Sequence, residues 1–463
     1  MRPVDLLLDV SRDAGGTLGS QIENRLRRAI RDGVLREDTA MPSTRDLARQ
    51  LGVSRRIVVD AYAQLSAEGY LLLRQGARPR VSETAAAGEP PAAESVAPPV
   101  RYDFRPAVPD VSGFPRQAWL RSVKEALATM TDADLGYGDP RGAAILRTAL
   151  ASYLGRVRGV VADASRIMVT CGYSQGLDLL CRTLVERGAR RIAFENPSYA
   201  EQRELAARAG LECVAVPVDG AGVQVEALAR SGADAVVLTP AHQHPTGVVL
   251  SGERRTALLA WLRDTGAFAI DDDYDAEYRY DRAAVGALQG LDPERVVYAG
   301  SASKTLAPAL RLGWLVLPSA LLEPVTRAKR LGDSQTDVIE QHAFADFLLR
   351  GELDRHLRRM RSRYRGRRDA LLAALAEELP GAVVSGISAG LHAAVALRDD
   401  DDEEAILAEA GRRRIALETM TEHWMGEPGG PPTLLLGYGK MPDAAIGPAV
   451  RELADAIAMV RAR

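Results

Sequence analysis

A lysine in the segment SASKTLAPALRLG, residues 301–313, is the first residue that could do covalent chemistry. The chain has 59 lysines and arginines, but only four are lysines, and Lys304 is one of them. A lysine amine forms a Schiff base with an aldehyde, whereas a guanidinium stays protonated and does not. Ser301 and Ser303 supply hydroxyl donors beside it, and Arg311 supplies a fork suited to a phosphate. The cluster therefore predicts a site for an aldehyde that carries a phosphate.

An aldehyde cofactor that carries a phosphate and a pyridine ring would also need a carboxylate beside its ring nitrogen. Candidate carboxylates lie in FAIDDDYDAEY, residues 268–278. Residues two apart on a strand share a face, so Asp272 and Tyr274 are expected to point together. The carboxylate would reach the ring nitrogen, and the phenol would reach the ring oxygen. Asp271 and Asp273 would face the other way, which predicts structural roles for them.

An anion cradle is predicted in TCGYSQGL, residues 170–177. This segment follows a predicted strand and opens a helix, whose first N–H groups attract a phosphate. Its candidate residues are Gly172, Tyr173 and Ser174. Tyr199 ends the next strand in ENPSY and is placed to stack on a cofactor ring, with a tyrosine of the core as the alternative.

These residues belong to a stretch in which helical segments alternate with short β-rich runs. The runs are RIMVT, RIAFE, DAVVLTP, FAIDDDY, RVVYAGS and LGWLVLP. This alternation predicts a mostly parallel sheet covered on both faces. From about Leu322 the pattern is mainly helical, and GLHAAVAL and PTLLLGYG are two further predicted strands. We expect an α/β domain with a smaller C-terminal α+β subdomain.

The N-terminal segment has a different pattern. Apolar residues at helical spacing predict three helices, the third capped by Ser54, and YLLL and RPRVS predict a hairpin after them. The run SETAAAGEPPAAESVAPPV cannot bury enough apolar surface to fold, so it predicts a linker. The predicted domains are residues 1–81 and 101–463, joined by the linker at 82–100.

The second and third predicted helices have the helix-turn-helix arrangement, in which the latter enters the DNA major groove N-terminus first. Basic and polar residues at the helix starts and on the hairpin could bind phosphates and base edges. The predicted contacts are Arg45, Ser54, Arg55, Arg56, Arg74, Arg78 and Arg80. A small helical domain with a solvated arginine face is the alternative.

Hydropathy and cysteine spacing bear on the cellular location of the protein. No apolar run is long enough to span a membrane, and we expect no signal peptide. Cys171, Cys181 and Cys213 are odd in number and lack a CxxC spacing. Neither a disulfide framework nor a thiolate metal site is therefore indicated. We expect a cytoplasmic protein, because the cytoplasm keeps thiols reduced.

Two parts of the chain resemble known families. Residues 35–76 resemble the winged helix-turn-helix of the GntR family, whose signature is Pro-Ser-x-Arg followed by Leu-Ala and Val-Ser-Arg. The rest resembles the fold-type I aminotransferases, which use pyridoxal 5′-phosphate (PLP), at YGDPRG, GYSQGL, ENPSY, HPTG, DDYDAEY and SASKTLAPALRLGW. A chain that joins both parts resembles the MocR/GabR-type transcriptional regulators.

This resemblance implies roles and partners. Lys304 would hold PLP as an internal aldimine, surrounded by the cofactor residues named above. Tyr137 would reach the phosphate of a neighbouring subunit, which implies a homodimer. His244 occupies the place of the asparagine that touches the ring oxygen in the family. Double-stranded DNA with repeated half-sites is the implied macromolecular partner.

One departure from the family bears on the effector. Aminotransferases place an arginine for the substrate carboxylate where this chain has leucines at 434–436. Unless an arginine of GRRRI, residues 411–415, takes that role, a buried carboxylate would lack a cation. We therefore expect PLP itself to be the signal and vitamin B6 synthesis to be the regulated process. An amine or amino acid effector and a working aminotransferase are the alternatives.

Overall fold

The chain divides into two compact units, Met1–Ala97 and Pro98–Arg463. The computed structural model describes residues 10–11, 15–83, 99–275, 277–280 and 285–463. Most of the predicted linker, residues 84–98, lies outside the described residues. No helix in the described ranges is long and apolar enough to cross a membrane.

Both edges of the predicted linker are tied to a folded unit. The Ser82 N–H donates to the Tyr70 carbonyl at 3.0 Å. The Pro99 carbonyl accepts a hydrogen bond from Arg414 Nε at 2.7 Å.

The first unit contains three helices, Leu18–Arg31 (α1), Thr44–Leu51 (α2) and Arg55–Ala67 (α3), and a short antiparallel pair, Leu71–Leu72 (β1) and Arg80–Val81 (β2). Apolar side chains at helical spacing meet in one core. The core includes Ile22, Leu26, Ile30, Leu47, Val58, Ala61, Tyr62 and Leu65. The predicted three helices and hairpin are confirmed.

Local capping sets the turn between the second and third helices. The Ser43 hydroxyl accepts the Asp46 N–H at 3.2 Å and begins α2. Gly52 ends α2 with φ 63°, a left-handed conformation that favours glycine. Ser54 precedes α3, but its hydroxyl makes no capping bond, so that part of the prediction is wrong. The Ser54 side chain is exposed instead.

The large unit begins with a short strand, Tyr102–Asp103 (β3), and is built on an eight-stranded sheet. Its strands are Ile167–Thr170 (β4), Arg191–Asn196 (β5), Glu212–Asp219 (β6), Gly222–Val223 (β7), Ala235–Leu238 (β8), Phe268–Asp273 (β9), Val296–Ser301 (β10) and Gly313–Val316 (β11). Their order is β4-β11-β10-β9-β8-β5-β6-β7, and β11 and β7 run antiparallel to their neighbours. The predicted mostly parallel sheet is confirmed, although β6 and β7 were not predicted.

Helices cover both faces of this sheet. They are Arg116–Thr129 (α4), Ala144–Arg158 (α5), Tyr173–Glu186 (α6), Ala200–Ala209 (α7), Val225–Ser231 (α8), Gly252–Thr265 (α9), Ala302–Thr305 (α10), Ser319–Gly332 (α11), Val338–Leu349 (α12) and Glu352–Glu378 (α13). Val237 of β8 packs in the core with α6, whereas Val236 packs on the opposite face with α8 and α9. Strands buried on both faces read as continuous apolar runs, which is the pattern that the sequence shows.

A smaller C-terminal sheet completes the large unit. Its strands are Val383–Ser385 (β12), His392–Ala396 (β13), Glu418–Thr419 (β15) and Thr433–Gly437 (β16), in the antiparallel order β12-β13-β16-β15. Strand Ile415–Ala416 (β14) pairs with β3, and helices Glu403–Arg412 (α14) and Ile446–Arg461 (α15) pack nearby. The predicted C-terminal subdomain is confirmed, and its pairing with β3 fixes the segment that follows residue 103.

Candidate functional site

A cavity of about 540 Å³ lies in the large unit at the carboxyl ends of the parallel strands. Open α/β sheets bind ligands at this edge. Ten of the predicted cofactor residues line it: Tyr173, Ser174, Tyr199, His244, Asp272, Tyr274, Ser301, Ser303, Lys304 and Arg311. Gly172 lies against Arg311, and Tyr137 is 97% exposed and does not line the cavity.

Lys304 is held at the cavity by the end of β10. The strand ends at Ser301, whose hydroxyl accepts the Ser303 N–H at 3.0 Å and starts α10. Within the described part of the chain, the Lys304 amine makes no hydrogen bond or ion pair. Burial lowers the pKa of Lys304, and Asp272 and Asp275 oppose this shift. A lysine with a lowered pKa is more often neutral and is therefore a better nucleophile.

The three aspartates of β9 divide between the two faces of the sheet. Asp272 lines the cavity and accepts a hydrogen bond from Gln202 Nε2 at 2.8 Å. On the other face, Asp273 binds the buried Arg158 at 2.6 Å, and Asp271 accepts a backbone N–H at 2.7 Å. This is the division that strand alternation predicts. Burial raises the pKa of Asp272 to about 7, although the bond from Gln202 opposes the shift.

Tyr274 is oriented by a buried pair of side chains. Nδ1 of His242 lies 3.0 Å from the Tyr274 hydroxyl and 2.9 Å from the Asp275 carboxylate. Burial lowers the pKa of His242, but Asp275 and the backbone of Gly386 together oppose burial, and the pKa is raised overall. A Cβ on Gly390 would lie 2.4 Å from the imidazole, so only glycine leaves room for the ring. Sequence reasoning did not identify His242 or Asp275 as part of the site.

Histidines form one wall beside the cavity. The ring of His244 lies 5.4 Å from that of His392 and 5.1 Å from that of His423. Burial and the neighbouring histidines hold the pKa of His244 well below its usual range, and burial lowers the pKa of His392 to about 4. Both rings are therefore neutral at pH 7. Among the described residues, no three His, Cys, Asp or Glu side chains are arranged to hold a metal ion.

Arg311 faces the start of α6. Its Nη2 donates to the Cys171 carbonyl at 2.7 Å. Gly172 has φ 81°, and a Cβ there would lie 3.1 Å from the guanidinium. Glycine therefore allows the helix start and Arg311 to approach each other. With Ser174 on the cavity wall, this corner combines a cation, a hydroxyl and a helix N-terminus, which is an anion-binding arrangement.

Neither position considered for a carboxylate-binding arginine, β16 or the GRRRI segment, brings an arginine to the cavity. The leucines at 434–436 are buried in β16. The arginines at 412–414 contact Glu409 and a backbone carbonyl, and none of them lines the cavity. The role considered for GRRRI is therefore wrong. Arg105 lines the cavity instead, and no local pattern in the sequence identified it.

The candidate DNA-reading surface lies on the first unit. Four predicted contacts at the starts of α2 and α3 are exposed: Arg45, Ser54, Arg55 and Arg56. Among the residues that the structure describes, the ion pair of Arg56 is a long one, 3.9 Å, to Asp60 one turn on. Arg74 and Arg78 on the hairpin are also exposed, whereas Arg80 is paired with Asp38 at 2.7 Å. Arg80 is thus the predicted contact that is least available to DNA.

Two family models match the chain, one in each unit. Residues 18–81 match the bacterial regulatory proteins of the gntR family, and residues 109–417 match aminotransferase class I and II. The chain is 31% identical to the HTH-type pyridoxine biosynthesis transcriptional regulator PdxR of Corynebacterium glutamicum, over 98% of this chain and 99% of that protein. It is 33% identical to the probable rhizopine catabolism regulatory protein MocR of Rhizobium meliloti, over 79% of each chain.

The chain belongs to the MocR-type transcriptional regulators. Its GntR domain makes it a DNA-binding protein, as the helix-turn-helix pattern predicts. The large unit of this MocR-type regulator is similar to the Pyrococcus horikoshii kynurenine aminotransferase, crystallised with PMP, with 26% identity and a TM-score of 0.70 over 77% of this chain and 90% of that one. Aminotransferases of this fold are PLP-dependent. The predicted fold class and family are both confirmed.

Proposed function

We propose that this MocR-type regulator binds PLP covalently through Lys304 and that the bound cofactor changes its affinity for DNA. One observation carries the proposal: a partly buried lysine, a buried carboxylate and an arginine beside a helix N-terminus line the same cavity. When bound, PLP supplies an aldehyde, a pyridine nitrogen and a phosphate, which call for these three kinds of group.

The buried carboxylate fits a protonated ring nitrogen. Asp272 has a pKa of about 7 because burial penalises its charge and no cation is paired with it among the described residues. A pyridinium beside Asp272 would restore the charged form of the carboxylate. Tyr274, held by His242, would donate to the ring oxygen, and the neutral His244 lies next to it.

The anion corner fits the phosphate. Arg311 would bind it as a fork, with hydroxyls of Ser174, Ser301 and Ser303 and the first N–H groups of α6 as further donors. Tyr199 lies at the cavity with its ring near His244 and would cover one face of the cofactor ring.

A homodimer is part of the proposal. Tyr137 is 97% exposed, and Leu135, two residues before it, is 58% exposed, so this segment presents apolar side-chain surface to solvent. A second copy of the chain would cover this surface, and Tyr137 would then reach the partner's phosphate corner. Two paired GntR domains would read repeated half-sites, with Arg55 and Arg56 at the DNA.

Control of vitamin B6 synthesis is the proposed physiological role. Its support is the 31% identity with PdxR, which is named for pyridoxine biosynthesis and matches this chain over nearly its whole length. A ligand shifts a conformational equilibrium only when it binds one state better than the other. PLP would therefore have to bind more tightly to one of two conformations of the protein that differ in their affinity for DNA.

Two measurements on one pair of proteins test the proposal. Lys304→Ala should lose the absorbance band of bound PLP and should retain no cofactor after borohydride reduction. DNA upstream of the protein's own gene should bind differently to cofactor-free and PLP-loaded wild type at one fixed salt concentration. A normal band in Lys304→Ala would refute the role of Lys304, and identical DNA binding with and without PLP would refute the regulatory role of the cofactor.

Transamination is a second candidate activity of the large unit. It is supported by the aminotransferase likeness and by the retention of Lys304, Asp272 and Arg311 in one cavity. Turnover of an amino donor and a keto acid, abolished in Lys304→Ala, would establish it.

A further inference from the structure

One cation of the cavity has no place in the proposed cofactor site. Residues 105–108 run along the cavity wall, and Arg105 is their charged member. Lys304 and Arg311 are assigned to the cofactor, whereas Arg105 is not. Its side chain is 48% exposed, so it lies at the open part of the wall.

Arg105 is held in place by its neighbours. Its Nε and Nη2 donate to the two carboxylate oxygens of Asp103 at 2.9 and 2.6 Å. Lys440 donates to the same carboxylate at 2.6 Å, so this group of two cations and one anion keeps a positive charge. The Asp103 bonds raise the pKa of Arg105, which stays charged. The Nη1 group makes no bond in the described part of the chain and can serve a ligand.

The backbone of this segment is also fixed. The Phe104 N–H donates to the Ala416 carbonyl at 2.7 Å and its carbonyl accepts the Gly437 N–H at 2.6 Å. A Cβ on Gly437 would lie only 2.2 Å from the Arg105 carbonyl oxygen, so β16 approaches the segment more closely than a side chain would permit. Ala107 has φ 56°, a strained conformation that is stored preferentially at functional sites.

Arg105 and the proposed cofactor end, at Lys304, belong to the lining of one cavity. His244 also lines this cavity, and its ring lies 5.1 Å from that of His423. His423 lies 3.7 Å from Glu418, which also lines the cavity and interacts electrostatically with Arg105. Arg105 and Glu418 thus form an outer, charged part of the same cavity.

We propose that Arg105 binds the carboxylate of an amine-bearing effector, an amino acid, in the PLP-loaded cavity. The proposal rests on the proposed function, because it assigns the amine to the cofactor end and the carboxylate to Arg105. Glu418 beside it disfavours ligands that carry a second negative charge at that point. Arg105 thereby takes over the task that the leucines of β16 cannot perform.

The test compares amino acids with the amines that lack only their carboxylate. The pairs are L-alanine with ethylamine, γ-aminobutyrate with propylamine, and L-phenylalanine with phenethylamine. Each is titrated into the PLP-loaded full chain by calorimetry and by the absorbance of the bound cofactor. The variants are Arg105→Gln and Arg105→Lys, with Arg412→Gln as the control for an arginine outside the cavity.

In the wild type, at least one amino acid should bind about tenfold or more tightly than its paired amine. Arg105→Gln should lose about 10- to 100-fold in the affinity for that amino acid, the range for a charge-assisted hydrogen bond, and leave the amine affinity unchanged. Arg105→Lys should be intermediate, and Arg412→Gln should match the wild type.

Two results would overturn the assignment: a carboxylate preference that survives in Arg105→Gln, or no carboxylate preference in the wild type for any of the three pairs. Failure of the proposed function is separable, since it appears earlier as a missing PLP band in the wild type or a retained band in Lys304→Ala.

Discussion

Removing the charge of Asp275 should destabilise the large unit in a pH-dependent way. Asp275 and His242 are 2% and 0% exposed, and their side chains are 2.9 Å apart. Asp275→Asn keeps the shape of the side chain but leaves the imidazole without its anion. Other polar groups near His242 are Tyr274, His392, Arg279 and the backbone of Gly386, and none of these four supplies a negative charge at neutral pH.

The size of the effect follows from the burial of the pair. Removing one partner of a buried ion pair costs about 3–5 kcal/mol. If each kcal/mol lowers the Tm of a large unit by about 2 °C, the Tm should fall by roughly 6–10 °C. The pKa of His242 is raised in the folded protein. The stabilisation of the folded state by the His242–Asp275 ion pair is therefore fully present below the ordinary histidine pKa, about 6.5. It is lost as the pH rises through the raised pKa of the folded protein.

Thermal unfolding of wild type and Asp275→Asn at pH 6 and pH 9 measures this effect. The difference in Tm should be largest at pH 6 and smaller at pH 9, because the imidazole can become neutral at the higher pH. Asp401→Asn is the matched control, since Asp401 is 3% exposed and paired with an arginine, Arg461, that does not titrate in this range. An equal or larger difference at pH 9 for Asp275→Asn would refute the ion-pair reasoning.

Two further predictions concern the DNA surface and the anion corner. Replacing both Arg55 and Arg56 by alanine should abolish specific DNA binding and leave the PLP band intact. The slope of log K against log salt should become shallower by about 0.9 per lost phosphate contact. Arg187→Ala in the large unit is the control, and unchanged DNA binding in the double variant would contradict the placement of α3 in the groove. Gly172→Ala should weaken PLP binding about tenfold or more, because its Cβ would meet a guanidinium at 3.1 Å. Gly188→Ala has a similar φ, 98°, and nothing within 4 Å, so it should unfold slightly more easily and bind PLP normally; equal PLP affinity in the two variants would contradict the proposed corner.

The parts of the site that lie on single elements could be predicted from the sequence. Asp272 and Tyr274 were separated from Asp271 and Asp273 by strand alternation alone, because side chains on a strand have a strict period of two. Gly172 and Ser174 were found because a glycine between a strand and a helix marks a helix start. Lys304 could be predicted because lysine is rare in this chain and because two serines and an arginine lie close to it in the sequence.

The roles that failed or were missed depend on contacts between distant segments. His242, His392 and Asp275 meet because β13 of the small sheet packs beside the loops after β8 and β9, and glycine at 390 gives the imidazole room. The predicted capping bond of Ser54 is absent for a local reason, because a serine at a helix start does not always direct its hydroxyl to the backbone N–H groups of the first turn.

The sequence by itself determined the two units, the segments that form six strands of the large sheet, the face of each β9 aspartate and the lysine at 304, because each of these follows from periodicity or composition within one short segment. Only the tertiary structure decided the histidine wall and the placement of Arg105 at the cavity, which neither the leucines of β16 nor the arginines at 412–414 line. Arg105 reaches the cavity through the pairing of β3 with β14, more than 300 residues later in the chain. Pairing over that separation depends on the global packing of the small subdomain, and no local pattern records it.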